Sequence, residues 1–517
     1  MSPTPVISDT SKRIARNTVV LYVRMFVLIL VGFYTSRVVL RDLGVTDYGI
    51  YSAVGGVVSL FAVLTTSLSA SVSRFLTFGL GEGDMKRLNA VFSTSVTMQL
   101  MLSALIVLLA EPSGIWFLKA KMVIPPERMQ AAFWVLQFSI ASFVVQLVSV
   151  PYNALVVAHE HMGAYAWISI FEGVGKLCLA LLIAHAGIDR LIFYAAGMLA
   201  LTLVVRLMYG IYCRVRFEEC RYHPGLDRPL FKEMFAFAGW SILGSSSMIL
   251  RDHGANLMLN VFFGPAVNAA RGLSMQVAGY VQKFVTSFVT AVNPQITKSF
   301  AAGNKDYMMT LTWRGSRLAY QLLLLLAMPV LFNTQFLLDI WLKQVPEHTV
   351  LFVQLVMVLS LLDAISYTLA TAASATGKIR NYQIVIGGIQ LLNLPLDYLL
   401  LRLGCGPEVV FTVAIGLSLL CLAARLVLLR GMIGMSVRGF CREVLLRDLL
   451  VTLLGVVAPL LMCSLAPAGW AWSLLNCTVA VLGTAAAIYA VGLTPGERDF
   501  CKETLRKWIK KNSETAS

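Results

Sequence analysis

The chain has 517 residues, of which 58% are hydrophobic and 13% are charged, and its mean hydropathy is +0.75. This composition excludes an ordinary soluble domain and indicates a helical protein with many membrane spans. The formal net charge of +15 would suit nucleic-acid binding, but the basic residues fall in short clusters between apolar runs, as they do in cytoplasmic loops. We therefore expect no nucleic-acid partner.

Apolar runs of eighteen or more residues predict fourteen transmembrane helices. The predicted spans are 17–40, 49–71, 88–110, 131–157, 163–186, 191–213, 235–262, 267–292, 311–332, 349–374, 381–402, 408–429, 448–466 and 470–492. With both termini in the cytoplasm, most of the 42 Lys and Arg residues lie in inner segments, as the positive-inside rule requires. The sequence thus predicts an all-α, polytopic membrane protein.

The longest polar stretch between spans is Arg214 to Lys232, which we interpret as the boundary between two halves. The last segment alternates apolar and basic residues, as does a helix lying on an anionic membrane surface. The predicted organisation is a cytoplasmic tail at 1–16, a six-helix half at 17–213, a linker at 214–234, a second six-helix half at 235–430, two extra helices at 431–492 and an amphipathic cytoplasmic tail at 493–517.

Two short motifs recur in both halves at nearly the same separation. The recurring residues are Phe78, Gly81 and Asp84 with Phe300, Gly303 and Asp306, and Ile115 and Trp116 with Ile340 and Trp341. Because an even number of spans separates the copies, both halves should have the same orientation and be related by a pseudo-two-fold axis along the membrane normal.

The seventh span contains the least expected residues in the chain. Arg251, Asp252 and His253 lie past the midpoint of Phe235–Asn260. An ionisable residue at membrane depth is costly and suggests a functional site on a face that contacts protein or water. The alternative is a buried Arg–Asp pair that only locks helix packing.

Most of the cations within the predicted spans are arginines. These cations are Arg24, Arg37, Arg206, Arg251, Arg425, Lys176 and Lys283. Arginine binds two phosphate oxygens at once through its planar fork, so the simplest explanation is an anionic substrate such as a lipid diphosphate. For Arg206 and Arg425 we favour another interpretation, in which the side chains extend toward the inner headgroups.

Polar side chains follow one side of the eighth span. Lys283, Ser287 and Thr290 recur at steps of four and three residues, with Asn293 beside them. They could bind sugar hydroxyls, although small polar residues also hold membrane helices together. Glu172 and Lys176, one turn apart on the fifth span, should neutralise each other.

The start of the chain carries the most specific motif, LG-x₃-YG-x-YS, within NTVVLYVRMFVLILVGFYTSRVVLRDLGVTDYGIYS. With the fourteen spans and the repeat, it resembles bacterial polysaccharide biosynthesis membrane proteins. These are the Wzx-type flippases of the multidrug/oligosaccharidyl-lipid/polysaccharide (MOP) exporter superfamily. The resemblance implies alternating access that moves an undecaprenyl-diphosphate-linked glycan, such as O-antigen of lipopolysaccharide, from the cytoplasmic to the periplasmic leaflet of the inner membrane. It also implies a monomer that acts beside glycosyltransferases and a polymerase, with no enzymatic activity and no cofactor other than sodium or a proton as the coupling ion.

The resemblance also selects candidate site residues, because the first, second, seventh and eighth helices line the cavity in the superfamily. The candidates for substrate binding are Arg24, Arg251 and Lys283, with Arg37 and Arg271 near the outer mouth and Ser287, Thr290 and Asn293 along the eighth span.

A coupling ion is implied by similarity to lipid II flippases, in which an Asn and an Asp of the eleventh helix and an Asp of the seventh can bind sodium. The matching residues here are Asn393, Asp397 and Asp252, with Thr412 as a further oxygen. Hard cations prefer such oxygen ligands. One alternative is that Asp397 is simply solvated near the outer surface, and another is a proton relay through Asp363.

Two other functions remain as alternatives: a drug antiporter of the multidrug and toxin extrusion (MATE) type, and a membrane polysaccharide polymerase. Bacterial MATE antiporters commonly use an acid in the first helix, whereas Asn17–Leu40 contains none. A polymerase would need a catalytic outer loop, and the loops are short. The nine cysteines form no CxxC pair, so we expect neither a disulfide framework nor a metal site.

Overall fold

The computed structural model describes residues 5–59, 62–120, 124–224, 227–342, 345–465, 469–499 and 502. Nearly all of these residues are helical, and none of them forms a strand. The predicted class, an all-α membrane protein, is therefore confirmed. Most of the predicted amphipathic tail, at 500–517, lies outside the described residues.

Six helices account for the chain up to the linker. They are α1 (Pro5–Ser59), α2 (Ala62–Glu82), α3 (Met85–Ala120), α4 (Met129–Ala158), α5 (Met162–Leu182) and α6 (Arg190–Arg216). Helix α1 contains a kink at Gly44, whose φ of 80° lies in a region that glycine adopts without steric cost. The kink ends the first predicted span. Helix α6 begins where the carboxylate of Asp189 accepts hydrogen bonds from the N–H groups of Leu191 and Ile192, a typical N-cap.

Eleven further helices follow the linker. They are α7 (Arg228–Phe263), α8 (Pro265–Ala301), α9 (Lys305–Phe332), α10 (Thr334–Trp341), α11 (Thr349–Ala375), α12 (Arg380–Leu391), α13 (Asn393–Arg402), α14 (Val409–Ile433), α15 (Val437–Phe440), α16 (Leu446–Leu465) and α17 (Trp470–Ala487). Helices α12 and α13 together form the eleventh predicted span, interrupted by a turn at Leu392.

In the described part of the chain, 11 helical segments are long and apolar enough to cross a membrane. The three remaining predicted spans correspond to α2, α7 and α8, which are long enough but contain more hydroxyl-bearing or charged residues. Together they account for the predicted fourteen. The second predicted span, 49–71, is displaced, because residues 49–59 belong to α1 and α2 runs from Ala62 to Glu82.

The repeated turns after α2 and α8 have the same construction. Gly83 and Gly303 both have a φ of 75°, and the next residue in each turn, Asp84 or Asn304, accepts hydrogen bonds from N–H groups in the first turn of the following helix. A glycine in the left-handed region followed by a capping residue is a common way to end one helix and start another. The sequence-based pairing of Gly81 with Gly303 is therefore wrong by two residues.

The described residues form two compact units. The first contains Met1–Ser246, Thr290–Met308 and Ser374–Ile384, and the second contains Ser247–Val289, Met309–Ala373 and Val385–Ser517. In the first unit, Phe92 is fully buried and packs edge-on against Tyr152, with ring centroids 5.2 Å apart. In the second, Phe352 and Phe411 pack with centroids 4.9 Å apart, which joins α11 to α14.

A buried carboxylate in the first unit joins three distant parts of the sequence. Glu160, in the turn between α4 and α5, has a φ of 62° and is 6% exposed. Its side chain contacts Nε of Arg13 at 3.0 Å, Nε2 of Gln295 at 2.6 Å and Nζ of Lys298 at 2.8 Å, and its backbone oxygen accepts from Asn17 at 3.4 Å. We call these five residues the Glu160 cluster. Without such partners, burying this charge would cost several kcal/mol.

Candidate functional site

The first unit contains two cavities of about 510 and 530 Å³ beside α1 and α5. Arg24, Ser169, Glu172 and Lys176 line both of them. Because they share these residues, we treat the two as one space and call it the first-unit cavity. It brings together Arg24, a predicted substrate residue, and the predicted Glu172–Lys176 pair.

Arg24 reaches this cavity from one face of α1. Leu28, Val31 and Thr35 line the cavity from the same face, as expected for steps of three and four residues along a helix. The guanidinium carbon of Arg24 lies 4.4 Å from the ring centroid of Tyr165, and its Nε has no hydrogen-bond partner among the described residues. Arg24 is thus held by packing against Tyr165, and its side chain lines the cavity with a positive charge.

The ion pair predicted on the fifth span is formed. Nζ of Lys176 lies 2.6 Å from Oε1 of Glu172, and each side chain is 40% exposed. Since these two charges cancel, the net positive charge of the first-unit cavity lining comes from Arg24.

The first-unit cavity also has a neutral polar wall that the sequence did not predict. The wall residues from α2 and α4 are Thr65, Ser69, Ser73, Gln146, Ser149 and Asn153. Their spacing of three and four residues was a usable signal, but the same spacing also occurs where small polar residues only hold helices together. Hydroxyl and amide groups of this kind can bind sugar hydroxyls.

The second unit contains a smaller cavity of about 250 Å³, which we call the second-unit cavity. Its charged and amide lining residues come from α7, α8, α11, α12, α13 and α14. They are Arg251, Asp252, Arg271, Gln282, Asp363, Gln390, Asn393 and Arg425. Asp363, which the sequence suggested as a separate proton relay, thus shares one cavity with two residues of the predicted cation site.

Both carboxylates of the second-unit cavity have hydrogen-bond donors. Nε of Arg251 lies 3.1 Å from Oδ1 of Asp252, and Oγ of Ser418 donates to Oδ1 of Asp363 at 2.7 Å. Arg251 is well buried, whereas 42% of the Asp252 side chain remains exposed. Asp252 is therefore accessible to an ion that enters the cavity.

Arg271 and Asn393, which line the same cavity, and Asp397, which does not, carry polar atoms without partners among the described residues. Arg271 donates from Nη1 to Oδ1 of Asn256 at 2.6 Å, but its Nε has no partner in the described structure. Asn393 is 1% exposed and Asp397, one turn later, is 0% exposed. None of the side-chain oxygens and nitrogens of these two residues has a partner among the described residues.

The burial of Asp397 removes the alternative in which it is simply solvated. A carboxylate this deeply buried is stable when it is protonated or when a cation binds it. The described residues contain no group of three or more His, Cys, Asp and Glu side chains placed to hold a metal ion. A cation here would need amide or backbone oxygens in addition to carboxylates, as sites for hard cations commonly use.

Seven predicted site residues are absent from the lining of these cavities: Arg37, Lys283, Ser287, Thr290, Asn293, Asp397 and Thr412. Arg37, Lys283 and Thr412 are exposed. The hydroxyls of Ser287 and Thr412 donate to carbonyl oxygens of their own helices, a local bond that Ser and Thr readily make.

The chain matches the family model described as polysaccharide biosynthesis protein over residues 14–300. No curated protein matches it. Among solved structures it is similar to a MATE transporter in the bent conformation, with a TM-score of 0.72 and 14% identity, covering 82% of this chain and 96% of that one. It is similar to an outward-facing MATE family transporter of the MOP superfamily, with a TM-score of 0.71, 13% identity and coverage of 82% and 96%.

A third similar structure is a MOP superfamily transporter from Pyrococcus furiosus, described as having a binding pocket of reverse polarity that suggests a different function. Its TM-score is 0.67 at 13% identity, with coverage of 82% of this chain and 96% of that one. At such low identities the likeness shows the fold alone. Since the family model spans more than half of the chain, the protein belongs to the polysaccharide biosynthesis protein family, and its fold is that of MOP superfamily transporters.

Proposed function

We propose that the protein flips an undecaprenyl-diphosphate-linked oligosaccharide from the cytoplasmic to the periplasmic leaflet of the bacterial inner membrane by alternating access. The observation that carries this proposal is the composition of the first-unit cavity. It combines the positive charge of Arg24, beside the neutralised Glu172–Lys176 pair, with a neutral wall of hydroxyl and amide groups. A diphosphate needs a fixed cation in a low-dielectric site, and sugars need hydrogen bonds.

The sizes of the two cavities support different roles. The first-unit cavity, at about 510 and 530 Å³ in its two parts, has the volume of a site for a small organic group. The second-unit cavity, at about 250 Å³, suits a small ion with a few waters. We propose that Asp252, Asp363 and Asn393, which line this cavity, and Asp397, one turn after Asn393, serve coupling to sodium or protons.

The ion pair in the second-unit cavity offers a way to couple ion and substrate. A cation or proton on Asp252 would weaken its attraction for Arg251, which lies 3.1 Å away. The guanidinium would then be available to an anionic substrate. Such an ion shifts the conformational equilibrium only if it binds the two states unequally.

A MATE-like drug antiporter is the second candidate, because the solved relatives with this fold include MATE transporters. The charge of the first-unit cavity argues against it, since Arg24 together with the neutralised Glu172–Lys176 pair would repel a cationic drug. We also propose that the chain is not an enzyme, that both termini face the cytoplasm and that it works as a monomer beside glycosyltransferases and a polymerase.

The test is to replace Arg24 and measure surface polysaccharide, with protein abundance in the membrane measured in parallel. We expect Arg24→Ala to abolish the surface glycan and to leave lipid-linked precursor on the cytoplasmic side. Arg24→Lys should restore it only partly, because an ammonium cannot bind two phosphate oxygens in a fork. The matched control is Arg37→Ala, on the same helix but exposed and outside the cavity. Normal surface glycan in Arg24→Ala would exclude the proposed phosphate contact.

A further inference from the structure

A third cavity in the first unit has no place in the proposed transport cycle. It measures about 570 Å³ and lies where α4, α6 and the following segment 217–224 meet, lined by Tyr152, Arg206, Gly210, Arg214, Arg221 and Tyr222 among others. The end of α6 that carries Arg214 leads into the basic linker. The charge distribution therefore predicts that this end faces the cytoplasm.

Arg206 is held in a defined position at this cavity. Its guanidinium carbon lies 3.7 Å from the ring centroid of Tyr152. A side chain at Gly210 would place its Cβ 2.8 Å from Nη1 of Arg206. The guanidinium thus extends along α6 toward the predicted inner end and occupies the space that the glycine leaves open. Such stacking leaves the edge of the guanidinium, with its N–H donors, free to bind an anion.

The segment that carries Arg221 is also fixed. Nδ2 of Asn89 donates to the backbone oxygens of Glu219 and Arg221 at 3.0 and 3.1 Å. The ring of His159 stacks on Phe217 at a centroid distance of 4.1 Å, and its Nε2 contacts the carboxylate of Glu219. The position of Arg221 therefore does not depend on a bound ligand.

Glu219, in the segment that carries Arg221, is already engaged. Burial alone would raise the pKa of Glu219, but its hydrogen bond with His159 holds that pKa below the usual value. Arg206, Arg214 and Arg221 have no ion pair with any carboxylate among the described residues. Three guanidinium groups around one cavity repel each other, and an anion between them would relieve that repulsion.

An exposed apolar surface of α6 borders this cavity. Leu203, Leu207, Ile211 and Val215 are all exposed and follow one another at steps of four residues along α6, so they form one stripe. Leu207 and Ile211 also border the cavity. A ligand that fills both features must carry negative charge at one end and long apolar chains at the other.

We infer that this cavity binds the headgroup of an anionic membrane phospholipid, with its phosphate on Arg206, Arg214 and Arg221 and its acyl chains along the α6 stripe. Basic pockets between transmembrane helices on the cytoplasmic side are suited to such headgroups. The site shares no lining residue with the first-unit cavity, so the inference does not rest on the proposed function.

The test is lipid binding to the purified full-length protein in detergent, followed by native mass spectrometry and by thermal unfolding with added lipid. Phosphatidylglycerol and cardiolipin should bind and raise Tm, whereas phosphatidylcholine and inorganic phosphate at the same concentration should not. We expect Arg206→Gln and Arg214→Gln each to weaken phosphatidylglycerol binding by about tenfold, the loss expected for one charge-assisted contact. The matched control is Arg216→Gln, at the same helix end but outside the cavity lining, and its affinity should not change.

A second variant separates a built site from general surface charge. Gly210→Leu keeps all three arginines but fills the space beside Arg206, so it should weaken phosphatidylglycerol binding to a similar extent. Equal affinity in Gly210→Leu and the unmodified protein, or an equal loss in Arg216→Gln, would overturn the inference. So would stabilisation by inorganic phosphate as large as that by the lipid. If Arg206→Gln does not fold, Arg214→Gln and Gly210→Leu decide the question.

Discussion

The first-unit and second-unit cavities both contain arginine but place it in different surroundings. In the first, Arg24 is the one cation left over after Glu172 and Lys176 pair, and the rest of the polar wall is neutral. In the second, a cavity of about 250 Å³ is lined by three arginines and two aspartates. A sequence repeat predicts similar helices in both halves, yet the chemistry of the two cavities has diverged. The first-unit cavity resembles a site for hydrogen-bonding groups, and the second-unit cavity resembles a site that binds and releases a cation or a proton.

The largest effect on transport is expected from a substitution that fills the first-unit cavity. Asn153→Trp would occupy the neutral wall of the first-unit cavity. If several substrate hydrogen bonds of about 1 kcal/mol each are lost together, transport should fall on the order of a hundredfold. The measurement is the amount of surface glycan at equal protein abundance. Val204→Trp, on the exposed side of α6, is the control, and an equal loss there would mean that the effect is not specific to the cavity.

The next largest effect is expected in the second-unit cavity. Asp252→Asn removes the charge that Arg251 contacts, so it should imitate the neutralised state permanently. We expect transport in proteoliposomes to fall by about tenfold, in the range of a typical coupling free energy, and to lose its response to sodium or proton gradients. The control is Asp339→Asn, at an exposed acid elsewhere in the second unit. It should keep both the transport rate and the response to the gradients. If the unmodified protein responds to neither gradient, the pair is structural.

A smaller effect is expected on stability at Asp397. Its carboxylate has no partner among the described residues, so the unmodified protein should gain stability from sodium or from protons. A ligand at a hundredfold excess over its Kd adds about 2.7 kcal/mol to the free energy of unfolding. In Asp397→Asn, the increase in Tm that added sodium produces in the unmodified protein should be absent. An unchanged ion response in the variant contradicts a role for Asp397.

The smallest effect is expected for the ion pair of the first-unit cavity. Because Glu172 and Lys176 are each 40% exposed, replacing both by Gln should change the free energy of unfolding by less than about 1 kcal/mol. Lys176→Gln alone leaves a carboxylate that competes with the substrate for Arg24, so it should reduce transport more than the double variant does. The reverse order would show that Lys176 itself binds substrate.

The sequence predicted the features that depend on one helix at a time. Length and apolar composition predicted the spans, and the cost of charge at membrane depth singled out Arg251 and Asp252. Features that depend on how helices pack were not predictable. The neutral wall around Ser69 and Ser149 arises where α2 and α4 meet, and the burial of Asp397 depends on neighbouring helices that its own sequence segment does not specify.

The Glu160 cluster has a consequence for how the protein is made. Glu160 is synthesised early, but two of its partners, Gln295 and Lys298, belong to the end of α8, and the first unit is completed only by Ser374–Ile384. During insertion into the membrane, the Glu160 carboxylate therefore lacks two of its partners until more than half of the chain has been synthesised. A truncated product that ends in the linker would lack Gln295 and Lys298, so we expect its Glu160 to stay incompletely paired.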